Sequence, residues 1–178
     1  HLVGWSFGGM PAYMVARDRP DLVRKLVLVE GGPDFRVQAD GVPSNADPIK
    51  RAAVTEKFFQ AGDIDGGLRF AVNDISGPGR WDALSESYRQ TIRENAWTVV
   101  GIGREALWRA SCSEFQTLKM PVLLMWGELT TPRLRGIVEA QAECLKTASI
   151  VKIPRTGHGV AAGNPQAFHS EATSFLGR

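Results

Sequence analysis

The chain has 178 residues, 43% of them hydrophobic and 22% charged, and a formal net charge of +2. That apolar content suffices for a packed core, and so small a charge with no basic cluster argues against a nucleic-acid partner. No apolar run approaches the roughly 20 residues of a membrane span, and there is no secretory h-region.

The chain opens on His1-Leu2-Val3, a short strand running into Gly4-Trp5-Ser6-Phe7-Gly8 and Gly9. This is the G-x-S-x-G pattern of a nucleophile elbow, in which a serine sits on a strained strand-to-helix turn. Residues without side chains are needed around it because the helix passes close to the strand. The helix expected over 7–19 aims its N-terminal amides at the serine oxygen. Residue 1 is not Met and falls inside the strand feeding the elbow, so the chain is expected to be the C-terminal part of a longer protein.

Pro20 ends that helix, and 23–30 (VRKLVLVE) is a near-continuous apolar run closed by Gly31-Gly32-Pro33. Such a run suits a parallel strand covered on both faces, so the opening reads as a βαβ unit. From 33 to 118 the pattern turns helical. A loop over 34–47 precedes helices expected at 48–61, 64–75 and 82–97, and a short last one at 104–111. Several helices in one connection exceed what a crossover requires, and 33–118 is read as a cap or lid inserted between sheet strands. Strand character returns at 120–126 (MPVLLMW), followed by a helix over 132–146, a strand over 148–153 and an amphipathic helix over 165–176. The fold class is therefore α/β, a parallel sheet with helices on both faces, with the core assigned to 1–32 and 119–178.

Cys112 and Cys144 show no metal-ligand spacing, and two cysteines do not make a disulfide framework in a chain of this size. Both are read as buried or half-buried thiols, which points to a reducing, cytoplasmic setting.

Four segments together, HLVGWSFGG, RPDLVRKLVLVEGG, MPVLLMWGELTTP and IPRTGHGVAAGNPQAF, resemble the α/β-hydrolase family over essentially the whole chain. They are similar to the esterase, C–C hydrolase and dehalogenase-like branches, with the chain corresponding to the second half of the fold. The resemblance implies a nucleophile, an acid and a histidine in that order, each on a loop at the C-terminal end of a strand. Ser6 is the nucleophile and His158, between two glycines after the last strand, is the base. His1 and His169 do not match the pattern. The backbone N–H of Phe7 is expected as one oxyanion donor, and the resemblance puts the other before residue 1. A chain with half an oxyanion hole is expected to be a poor catalyst by itself.

The acid is where this sequence departs from most relatives, which keep an aspartate in a G-x-x-D turn. Here the turn is Gly127-Glu128-Leu129-Thr130, and Thr130 stands in its place. Glu30, 24 residues after Ser6 at the end of the following strand, resembles the acid of some dehalogenase-like members. Glu128 is the alternative, and a site with no working acid is the third possibility.

A serine nucleophile implies acyl chemistry, needing neither metal nor organic cofactor. Trp5 and Phe7 beside the serine, and Trp81, Trp97 and Trp108 in the helical block, suggest an apolar pocket for a small ester, lactone or aryl ketone. Trp5 and Trp81 are the expected pocket residues, and the expected partner is a small apolar molecule. Nothing in the sequence sets the oligomeric state. A non-catalytic small-molecule receptor on the same fold and an inactive gene fragment are the competing readings.

Overall fold

A computed structural model describes residues 1–35, 47–104 and 110–177. The chain divides into two units, His1–Val37 with Trp108–Arg178, and Gln38–Leu107.

The first unit is built on four parallel strands, β1 (Leu2–Trp5), β2 (Leu26–Val29), β3 (Val122–Gly127) and β4 (Ser149–Ile153), lying in that order. In register, Gly4 pairs with Leu28, Leu28 with Leu124, and Leu124 with Ile150. Side chains alternate across a strand, and the buried ones sort accordingly. Leu26, Leu28, Val122 and Leu124 pack with Tyr13 and Ala16 of α1 (Gly9–Asp18) and Val138 of α7 (Pro132–Cys144). Val27, Val29, Leu123 and Met125 turn to the other face. There they meet Val160 of α8 (Val160–Gly163) and Phe168, Phe175 and Leu176 of α9 (Pro165–Gly177). Every side chain of β2 is buried, which is why its sequence reads as an unbroken apolar run. Lys25 donates to the carbonyl of Phe175 at 2.7 Å, tying the start of β2 to the last turn of α9.

The opening strand, expected at 1–3, runs from Leu2 to Trp5. The strands expected over 23–30, 120–126 and 148–153 are present but shorter, with flanking residues such as Val23 and Ala148 packing into the core from outside the ladder. Pro132 opens α7 behind the Thr131 cap. The chain also enters this unit through α6 (Cys112–Phe115), whose capping box pairs Ser111 with Glu114.

Cys112 and Cys144 form a disulfide, with Cα atoms 5.4 Å apart, and so are not thiols as expected. They stand 32 residues apart in sequence, but α6 packs beside the C-terminal end of α7 and Gln116 donates to the Cys144 carbonyl at 3.0 Å. A tertiary contact makes this pair, so spacing alone could not reveal it.

The second unit holds α2 (Asp47–Gln60), α3 (Ile64–Ser76), α4 (Glu86–Glu94) and α5 (Trp97–Arg104), packed around Phe59, Leu68, Trp81, Ala96 and Val100. The single helix expected over 82–97 is split. The Ser85 hydroxyl accepts from the Tyr88 N–H and starts α4, and the chain turns at Asn95-Ala96 before α5. Arg93 ties α4 to α3, bonding Asp65 at 2.7 and 2.8 Å and Glu86 at 2.6 Å. The helix expected over 104–111 and the tryptophan at 108 lie in part or wholly outside the described residues. Among the described residues no helix is long and apolar enough to cross a membrane.

Candidate active site

The site is assembled where β1, β2, β3 and β4 end. Ser6 follows β1 directly and has φ 52°, a left-handed conformation unusual for a serine. The backbone then makes one 3-10 turn, Ser6–Gly8, before α1 begins. A Cβ on Gly4 would lie 2.7 Å from the Gly8 carbonyl oxygen, and one on Gly9 would overlap the backbone of Gly31 and Gly32. Gly8, the closing glycine of the motif, faces open space. The glycines that let helix and strands approach are thus Gly4, Gly9 and Gly31.

Glu30 follows β2 with φ 46°, and its N–H bonds the Met125 carbonyl at 3.0 Å. Its side chain is wholly buried, and three donors converge on it. Gly127 N–H reaches Oε1 at 2.7 Å, the Thr130 hydroxyl reaches Oε2 at 2.9 Å, and His158 Nδ1 lies 2.6 Å from Oε2. The turn beyond Glu30 is held by Gln141 of α7, whose amide donates to the carbonyls of Gly31 and Pro33 at 3.0 and 2.9 Å.

His158 stands on the loop after β4 and is buried to 7% exposure. Its Nε2 lies 2.9 Å from Ser6 Oγ. A carboxylate only accepts hydrogen bonds, so Nδ1 carries the proton towards Glu30 and Nε2 is left to accept from the Ser6 hydroxyl. The loop is held from both sides. Trp5 Nε1 donates to the His158 carbonyl at 2.9 Å, with its ring centroid 5.3 Å from the imidazole. On the β3 side, Glu128 N–H bonds the Ile153 carbonyl and Leu129 N–H bonds the Thr156 carbonyl, both at 2.9 Å.

Ser6, Glu30 and His158 are therefore brought together in one hydrogen-bonded chain. Glu128, the alternative acid, is engaged elsewhere. Its carboxylate accepts from the Arg155 N–H at 3.0 Å and faces Lys152 at 3.4 Å. Those contacts, the Arg155 amide first, hold it below the usual carboxylate range. It props the left-handed turn at Arg155 (φ 58°) rather than the imidazole. Trp81 is not a pocket wall. It is 1% exposed, packed in the core of the helical unit with Arg93 over its ring. Trp5 and Phe7 remain about half exposed, at 47% and 48%. The Phe7 N–H belongs to the first turn after the serine, where amides lack intrahelical partners. Sequence reasoning missed the roles of Thr130, Trp5 and Gln141. The one available signal was a threonine at the turn position where an aspartate was expected.

The profile of the alpha/beta hydrolase family matches residues 1–171. The chain belongs to this family. It is 26% identical over 187 residues to a Bacillus subtilis (strain 168) protein to which 2-succinyl-6-hydroxy-2,4-cyclohexadiene-1-carboxylate synthase activity is ascribed, an alignment covering 98% of this chain and 65% of that one. It is also 26% identical over 183 residues to the pimeloyl-[acyl-carrier protein] methyl ester esterase of Pectobacterium carotovorum subsp. carotovorum (strain PC1), covering 97% of this chain and 68% of the relative. Among solved structures, the bromoperoxidase from Bacillus anthracis superposes with a TM-score of 0.76 at 18% identity, over 99% of this chain and 67% of that one. The chain thus spans about two thirds of the length of each of these three proteins.

Proposed function

We propose that the chain carries the catalytic centre of a serine hydrolase acting on a small ester, lactone or related carbonyl compound. The observation behind this reading is the unbroken chain Ser6 Oγ–His158 Nε2 at 2.9 Å and His158 Nδ1–Glu30 Oε2 at 2.6 Å. Esterase-like relatives of the same family support it.

In the first half-reaction Ser6 Oγ attacks the substrate carbonyl as its proton passes to His158 Nε2. Glu30 holds the imidazole in the productive tautomer and stabilises the imidazolium by its buried negative charge. The Phe7 N–H donates to the oxygen that becomes negative in the tetrahedral intermediate. His158 then protonates the departing alkoxide, leaving an ester on Ser6. In the second half-reaction a water gives its proton to His158 and its oxygen to the acyl carbon. Ser6 regains its proton and the acid is released. The helical block expected over 33–118, of which α2 to α5 form the second unit, is read as the cap. The half-exposed Trp5 and Phe7 rings beside the nucleophile suit an apolar substrate.

A panel of p-nitrophenyl esters of increasing acyl length tests this reading. Hydrolysis abolished by Ser6→Ala and by His158→Ala supports it. Equal turnover in Ser6→Ala would refute the covalent mechanism.

A further inference from the structure

The turn after β3 grips the acid at both ends. Thr130 N–H closes the turn on the Gly127 carbonyl at 3.0 Å. The first residue of that turn supplies the N–H to Glu30 Oε1, and the last supplies the hydroxyl to Oε2. A Cβ on Gly127 would overlap the carbonyls of Thr156 and Gly157, so this turn also abuts the histidine loop directly. The same Oε2 that accepts from Thr130 accepts from His158 Nδ1.

From this geometry we infer that Thr130 is a positioning residue, whose hydroxyl fixes the Glu30 carboxylate so that one oxygen stays aligned with His158. Glu30 has several rotatable bonds, and rotation of its carboxylate alone would carry Oε2 off the Nδ1–H axis. Gly127 anchors one oxygen and leaves the carboxylate free to swing about that anchor. The Thr130 hydroxyl removes the remaining freedom. Residue 130 does not replace the acid, since a hydroxyl brings no charge to stabilise an imidazolium. Its effect reaches the reaction through Glu30, and this inference rests on the reading of Ser6, His158 and Glu30 as the acyl-transfer machinery.

Thr130→Val keeps the shape of the side chain and removes the donor, and Thr130→Ser restores the donor while losing only a methyl. Two readouts on the full chain separate the inference from the reading beneath it. The first is the proton resonance of His158 Nδ1–H, far downfield when the proton is held between imidazole and carboxylate. It should be sharp in wild type and in Thr130→Ser, and broadened or lost by exchange with water in Thr130→Val. The second is the rate at which a fluorophosphonate labels Ser6. That rate should fall about tenfold in Thr130→Val and return to within about threefold of wild type in Thr130→Ser. A sharp, unshifted resonance in Thr130→Val would overturn the role of Thr130, whatever the labelling shows. Absence of label on wild-type Ser6 would instead overturn the hydrolase reading, and the resonance would still decide Thr130. Circular dichroism melts of all three chains check that each is folded.

Discussion

Glu30→Gln is the substitution whose outcome the site geometry specifies most fully. The amide has the shape of the carboxylate but only one oxygen, and all three neighbours donate to the native side chain. If the amide oxygen turned to His158, its NH2 would face the Gly127 N–H at 2.7 Å and leave that buried peptide donor unpaired. Such a group costs about 1–3 kcal/mol. The oxygen therefore stays with Gly127 and the NH2 points at His158 Nδ1, while the Thr130 hydroxyl rotates to accept. An amide N–H facing Nδ1 selects the imidazole tautomer that is protonated on Nε2, and that nitrogen can no longer take the Ser6 proton. The wrong tautomer in a serine triad costs about 10⁴-fold in turnover, roughly 5.5 kcal/mol of transition-state stabilisation. Turnover of p-nitrophenyl acetate by Glu30→Gln should fall by three to four orders of magnitude with an unchanged circular dichroism spectrum. Glu128→Gln keeps an acceptor for the Arg155 amide and should stay within about threefold of wild type. A Glu30→Gln protein within tenfold of wild type, beside a crippled Glu128→Gln, would refute the assignment of the acid.

Trp5→Phe keeps the ring against the imidazole and removes the indole donor to the His158 carbonyl. It should lower kcat/KM by roughly two- to tenfold, and an unchanged value would show that the loop is held without that bond. Gly31→Ala places a methyl on the Ser6 backbone and should destabilise the fold by about 2–4 kcal/mol in urea melts, whereas Gly8→Ala, facing open space, should be near neutral. Replacing both cysteines by serine should lower stability by roughly 3–4 kcal/mol for a 32-residue separation. Free-thiol titration before and after reduction should show no thiol and then two per chain.

Much of the core unit was legible because its signals are local. Strands covered on both faces must be apolar throughout, as β2 and β3 are, and a serine elbow needs glycines at close approach. Ser6 stands in a pattern of that kind, whereas His158 and Glu30 are singled out by the resemblance to the family, Glu30 with the added hint of its place at the end of an apolar strand and with Glu128 still open as the alternative. What stayed hidden depends on the sheet bringing distant residues together. The bond from Trp5 to the His158 loop joins residues 153 apart, and the one from Thr130 to Glu30 joins residues 100 apart. The disulfide and the pinning of the Gly31–Pro33 turn by Gln141 are of the same kind. Trp81 misled for a related reason. A tryptophan in a helical block fits a core and a pocket equally well, and only the packing around Phe59, Leu68 and Val100 decides for the core.

The central claim is that Ser6 is a nucleophile activated by His158, and peptide mass spectrometry after fluorophosphonate treatment tests it most directly. One phosphonyl adduct per chain, on the peptide carrying Gly4-Trp5-Ser6-Phe7-Gly8, is predicted. The adduct should be absent in Ser6→Ala and at least a hundredfold slower to form in His158→Ala. An unmodified wild-type chain, or an adduct that persists elsewhere when Ser6 is replaced, would contradict the account.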